Sequence, residues 1–140
     1  MSAEIRPRVF FDSNILIYSV TLNDRRASRA QMLLFEGGIL SVQVLNEFVN
    51  VCRRKLIKPW HEINLALEAI RLTCEAVRPV TDETHRRAVE LAQRHGLQIY
   101  DATIIASALE AGCDTLYSED MQDGQQIGPL TIRNPFLASA

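Results

Sequence analysis

The sequence predicts one α/β domain over residues 1–140, built as three layers with helices on both faces of a parallel five-stranded sheet. Short apolar runs alternate along the chain with longer segments of helical period, the pattern of strands joined by crossover helices. A chain of 140 residues can bury one core without disulfide or metal staples. Hydrophobic residues make up 47% and charged residues 23%, which excludes a disordered chain.

The elements follow in order. Residues 8–11 (Arg-Val-Phe-Phe) read as a buried strand, and Asp12-Ser13-Asn14 reads as the break after it. A helix is expected over 24–36, stopped by Gly37-Gly38. Residues 39–41 form a second strand, and Ser41 caps a helix whose Leu45, Phe48, Val49, Cys52 and Leu56 fall on one apolar stripe. After Pro59 a further helix turns Ile63, Leu67, Ile70 and Cys74 toward the core. Residues 76–80 are the third strand. Thr81 then starts a helix whose early acids, Asp82 and Glu83, suit the helix dipole, and His95-Gly96 ends it. Asp101 opens a nearly all-apolar helix over 102–111, terminated by Gly112. Residues 115–117 and 130–132 are the fourth and fifth strands.

Right-handed crossovers leave few topologies for such a chain. One common solution orders the strands 3-2-1-4-5, with the winding reversing between strands 1 and 4. Ligands bind outside the carboxyl ends of the strands at that reversal. Asp12 and Asp120 are the residues leaving those two strand ends.

Composition narrows the function classes. The net charge of −2 gives no global attraction to nucleic acid, although Arg far outnumbers Lys (Lys55 and Lys58 only) and guanidinium suits bidentate phosphate contacts. Cys52, Cys74 and Cys113 are odd in number and contain no C-x-x-C pair. That excludes a disulfide framework and a zinc site, and fits buried thiols in a reducing cytoplasm. Residues 1–8 lack the apolar stretch of a signal peptide, and the longest apolar run, 15–18, is far too short for a bilayer. A cytoplasmic protein without a membrane segment is expected.

Each acid has an ordinary explanation alone. Asp12 serves a turn, Asp101 an N-cap and Asp120 a loop. Glu47 is harder to dismiss, because Val44 and Val51 flank it at i−3 and i+4 on a second apolar face. An acid there is costly without a cation. Gathered in one crevice, two carboxylates about 4 Å apart repel by roughly 4 kcal/mol at an effective dielectric near 20. Protonation or a bound cation must relieve that repulsion. Oxygen ligands with no convergent Cys or His select Mg²⁺ or Mn²⁺ over Zn²⁺, and one or two such ions promote attack of water on a phosphodiester.

The segments Val9-Phe10-Phe11-Asp12-Ser13-Asn14-Ile15-Leu16, Leu45-Asn46-Glu47-Phe48, Tyr100-Asp101-Ala102-Thr103-Ile104-Ile105-Ala106 and Leu116-Tyr117-Ser118-Glu119-Asp120-Met121 resemble the PIN domain family. More narrowly, they resemble its VapC-type toxins of toxin–antitoxin systems. The resemblance extends to the closing Ile132-Arg133-Asn134-Pro135-Phe136. It implies the 3-2-1-4-5 sheet and an endoribonuclease dependent on Mg²⁺ or Mn²⁺. Asp12, Glu47, Asp101 and Asp120 match the family's four acids, catalytic and metal-holding. Ser118 matches the small hydroxyl residue before the fourth acid and implies a supporting role. Asn14 is expected to orient Asp12 or its turn, and Asp123 falls where some relatives carry a further acid. The implied partners are an RNA substrate, a cognate antitoxin and a second copy of the chain.

An acidic pocket repels RNA, so cations at its rim are needed. Arg25, Arg26 and Arg29 follow the Asp12 loop and are the first candidates for substrate binding, although a solvated helix face also explains them. His61, His85 and His95 share no metal spacing. Three other readings stand beside the toxin ribonuclease. A stand-alone RNA-processing nuclease would use the same acids. A phosphatase with an aspartyl nucleophile wants Asp-x-Asp and a later lysine, whereas this chain has Asp-Ser-Asn and no lysine after Lys58. A non-catalytic RNA-binding module is disfavoured by the intact acids.

Overall fold

The computed structural model describes residues 7–137. The expectation about the polar N-terminal segment therefore falls mostly on residues outside the described ones, as do both ends of the 1–140 domain span. Among the described residues, no helix is long and apolar enough to cross a membrane.

Among those residues, six strands form one sheet: β1 (Val9–Phe11), β2 (Ile39–Ser41), β3 (Ala76–Arg78), β4 (Thr115–Tyr117), β5 (Gln126–Ile127) and β6 (Leu130–Arg133), in the order β3-β2-β1-β4-β6-β5. Every neighbouring pair is parallel except β5 with β6. The sequence-predicted order 3-2-1-4-5 is therefore present, its fifth strand being β6. The additional strand is the short outer arm of a hairpin turned by Gly128, whose φ of 58° lies in the left-handed region. The sheet is mixed at that edge rather than wholly parallel.

The helices are α1 (Ser13–Ser19), α2 (Ala27–Glu36), α3 (Val42–Arg54), α4 (Trp60–Thr73), α5 (Asp82–His95) and α6 (Ile99–Glu110). Strand alternation divides the core between the two faces of the sheet. Phe10 and Leu116 join the larger cluster, with Phe48 of α3 and Ile104 and Ile105 of α6. Phe11 joins a smaller cluster with Ile15 of α1 and Ala30 and Leu33 of α2. Gly38 is in close contact: a Cβ there would lie 2.4 Å from the Phe11 ring, so a side chain where β2 enters beside β1 would have to displace that ring.

Several boundaries differ from the sequence expectation. Asp12-Ser13-Asn14 is not a break, because Asp12 is the N-cap of α1 and accepts from the Ser13 amide. The helix expected from residue 24 begins at Ala27, after an Asp24 turn in which the Arg26 amide donates to the Asp24 carboxylate. β3 ends at Arg78 rather than residue 80, since Thr81 caps α5 and the two residues before it run free of the sheet. Asp101 is not an N-cap: α6 starts at Ile99 behind Gln98, which places Asp101 in its first turn. The α3 cap at Ser41, the Thr81 cap and the left-handed Gly96 stop lie where the sequence places them.

Candidate active site

Three elements leave or approach the carboxyl edge of the sheet together. β1 delivers Asp12, and its parallel neighbour β4 delivers Ser118, Glu119 and Asp120 at the same edge. β2 runs into α3 there, which puts Glu47 in the second turn of that helix. α6 leads back into β4, so its N-terminal turn with Asp101 returns to the same edge.

Asp12 is the buried centre, only 3% exposed. One carboxylate oxygen accepts from the Ser13 amide at 2.7 Å, and the other accepts from the Ser118 hydroxyl at 2.7 Å. Burial raises its pKa to about 6. The two serine bonds oppose that rise, while the charges of Glu47 and Asp101 add to it. Asp101 is half-buried, and its carboxyl is likewise raised, first by desolvation and then by the charge of Asp120. Electrostatically, the four sequence-predicted acids form one connected group.

Neutral side chains hold that group in place. Asn14 is buried, and its Nδ2 lies 3.4 Å from the Asp12 carboxylate and 3.3 Å from that of Asp120, donating to both. Its Oδ1 accepts from the Glu119 amide at 3.2 Å. Ser118, fully buried, donates to Asp12 and accepts from the Met121 amide at 3.3 Å. The expected supporting roles of Asn14 and Ser118 thus have a geometric basis. Asp123 does not join them: it is exposed, and its carboxylate accepts from the Asn134 amide at 2.8 Å.

Gln43 was not singled out by the sequence. Its Nε2 donates to Glu47 at 3.2 Å and to the Tyr100 carbonyl at 3.0 Å, joining the first turns of α3 and α6. The i, i+4 spacing of Gln43 and Glu47 was the available signal.

The three arginines separate. Arg25 and Arg29 are exposed, and Arg29 donates to the Pro135 carbonyl at 3.4 Å. Arg26 is committed inward. Its Nε and Nη2 donate to Asp24 at 2.9 and 2.7 Å, and its Nη1 donates to both oxygens of Glu119 at 2.9 and 2.8 Å. The guanidinium lies 3.9 Å from the centroid of the Tyr18 ring, and the Tyr18 hydroxyl donates to Glu119. Arg26, expected with Arg25 and Arg29 as a candidate for substrate binding, is thus paired with Asp24 and Glu119.

All candidate ligands are oxygens, the set that suits Mg²⁺ or Mn²⁺. Among the described residues, however, no three of His, Cys, Asp or Glu stand close enough to enclose an ion by themselves. The donor chemistry and the excess negative charge around buried Asp12 fit a hydrated Mg²⁺, which keeps several waters and needs only one or two direct carboxylates. They do not fit a dehydrated cage.

No curated protein matches the chain. Among solved structures, the sarcin-ricin-loop-cleaving toxin VapC20 of Mycobacterium tuberculosis is similar, with 25% identity and a TM-score of 0.65 over 80% of this chain and 89% of that one. A toxin–antitoxin complex from Klebsiella pneumoniae shares the fold at 22% identity and a TM-score of 0.70, over 91% and 98% of the two chains. DNA-bound VapBC of Salmonella typhimurium does so at 16% identity and a TM-score of 0.66, over 93% and 99%. The PIN domain family matches residues 9–122, a stretch that holds Asp12, Glu47, Asp101 and Asp120 and stops just before Asp123. The chain belongs to the PIN domain family.

Proposed function

We propose that this protein is an endoribonuclease that hydrolyses RNA phosphodiester bonds with Mg²⁺ or Mn²⁺, and that it is the toxin of a toxin–antitoxin pair. The observation that carries the proposal is buried Asp12, raised to about 6 by burial and by the charges of Glu47 and Asp101, an arrangement that a divalent cation would relieve at neutral pH. Family membership and the likeness to VapC20, a toxin that cleaves the sarcin-ricin loop, favour RNA as substrate. The likeness to toxin–antitoxin complexes favours a cognate antitoxin as inhibitor, and a homodimer goes with the same reading.

A bound divalent ion supplies charge neutralisation and Lewis acidity for attack of water on phosphorus. Asp12, Glu47, Asp101 and Asp120 would hold it, directly or through its waters. Ser118 and the Ser13 amide fix the Asp12 carboxylate, and Asn14 sets the spacing of Asp12 and Asp120. Gln43 fixes Glu47 against the first turn of α6. Exposed Arg25 and Arg29 would be available for phosphate contacts.

The test is binding and cleavage with metal varied. Mn²⁺ titrated calorimetrically into the protein should bind, and Asp12→Asn should lose that binding together with RNA cleavage. Cleavage that persists in EDTA would remove the metal from the mechanism.

A further inference from the structure

Arg26 and Glu119 stand 93 residues apart in sequence yet meet in a two-point ion pair beside the acid cluster. The pair is sheltered, with side-chain exposures of 29% and 22%. Three contacts converge on Glu119. Arg26 binds both carboxylate oxygens, Tyr18 donates to the carboxylate, and Asn14 accepts from the backbone amide. Arg26 is fixed in turn by the Asp24 carboxylate, by the Asp24 turn, and by the face of Tyr18. Glu119 is chain neighbour to both Ser118, which holds Asp12, and Asp120.

We propose that Arg26 is a positioning residue: through Glu119 it locks the segment after β4, so that Ser118 and Asp120 meet Asp12 and Asn14 in one fixed geometry. Ser118 is itself anchored, by its amide on the Arg133 carbonyl and its hydroxyl on Asp12, whereas Asp120 is exposed and, among the described residues, held only by Asn14 and by what fixes its neighbour Glu119. The pair also neutralises Glu119, which would otherwise set a fifth negative charge next to Asp120. A guanidinium is required because its Nε and Nη2 form a fork to Asp24 while its Nη1 reaches both oxygens of Glu119, which a lysine ammonium cannot do. The same commitment makes Arg26 unavailable to RNA.

The inference rests on the nuclease reading for its kinetics, so the experiment pairs kinetics with a readout that needs neither metal nor RNA. Arg26→Lys, Glu119→Gln and the double variant are compared with wild type in RNA cleavage, in salt dependence, and in amide hydrogen exchange of Glu119 in the metal-free protein. Arg26→Lys keeps the cation and so guards against loss of folding, which circular dichroism monitors. Each single variant should lower kcat by about 10–100-fold, the range for losing a residue that orients metal ligands. KM and the salt slope should stay near wild type, the double variant should be no worse than either single one, and the Glu119 amide should exchange faster. A raised KM and flatter salt slope in Arg26→Lys, with Glu119→Gln like wild type, would make Arg26 a phosphate contact and overturn the proposal. Unchanged Glu119 exchange in both variants would also overturn it. If wild type cuts no RNA, the nuclease reading falls, and the exchange comparison still decides the clamp.

Discussion

Asp12 meets two opposing demands. It closes the N-terminus of α1, where a carboxylate is favoured, and it is buried among like charges, where a carboxylate is disfavoured. The second demand wins, and the acid titrates near 6. A folded-state pKa raised above the unfolded one means that the folded protein holds the proton more tightly. Its stabilising contribution is therefore complete below about pH 4, and is lost as pH rises through about 6. Metal-free protein should melt at a higher temperature at pH 5 than at pH 7, a difference on the order of 1 kcal/mol. Mn²⁺ should raise the melting temperature at pH 7 more than at pH 5, and Asp12→Asn should abolish both effects. Asp24 acts in the opposite sense at lower pH: its bonds to Arg26 hold it at about 2, so the stability it contributes is lost only as pH falls below about 4. At this scale the four acids were legible because each sits at an element end or on an unexpected helix face. The partner of Arg26 was not, because charge spacing along one segment says nothing about a carboxylate 93 residues away.

Among the elements, α1 and β5 were the ones missed. Asp-Ser-Asn is equally good chemistry for a turn and for an N-cap, and only the burial of Asn14, Ile15 and Leu16 decides for the helix. β5 has two residues, too few to display a period, so its signal is confined to the Gly128-Pro129 turn. The longer helices were legible from their caps and stripes. α6 is the strongest case: residues 102–108 are all buried, which matches its nearly continuous apolar run. Two substitutions test this level by denaturant unfolding. Gly38→Ala should destabilise by about 1–3 kcal/mol, because Phe11 must move within the core. Ser118→Ala should cost about 1–3 kcal/mol by stranding the buried Met121 amide, and it should also weaken Mn²⁺ binding. A Gly38→Ala protein as stable as wild type would mean that β2 enters the sheet by another path.

For the whole molecule, the parallel order β3-β2-β1-β4-β6 explains why acids distant in sequence share one edge. That order was legible, since alternating strands and helices with right-handed crossovers leave few alternatives. The electrostatics were legible only in part. A molecule of net charge −2 and pI near 5.9 carries a cluster of acids, so the proposed RNA substrate would be held by local cations that the sum conceals. Arg25→Ala and Arg29→Ala should each raise KM and lower the salt slope by about one, leaving kcat near wild type. That signature separates these exposed arginines from Arg26.

The most direct measurement is cleavage of an end-labelled structured RNA and a matched DNA by purified protein with Mg²⁺, Mn²⁺ or EDTA, run beside Asp12→Asn. The expected result is RNA cutting that requires the divalent ion, that Asp12→Asn loses by at least about 10³-fold, the scale of removing a group that stabilises transition-state charge, and that spares DNA. Cutting that survives both EDTA and Asp12→Asn would contradict the assignment of the acid cluster as the catalytic centre.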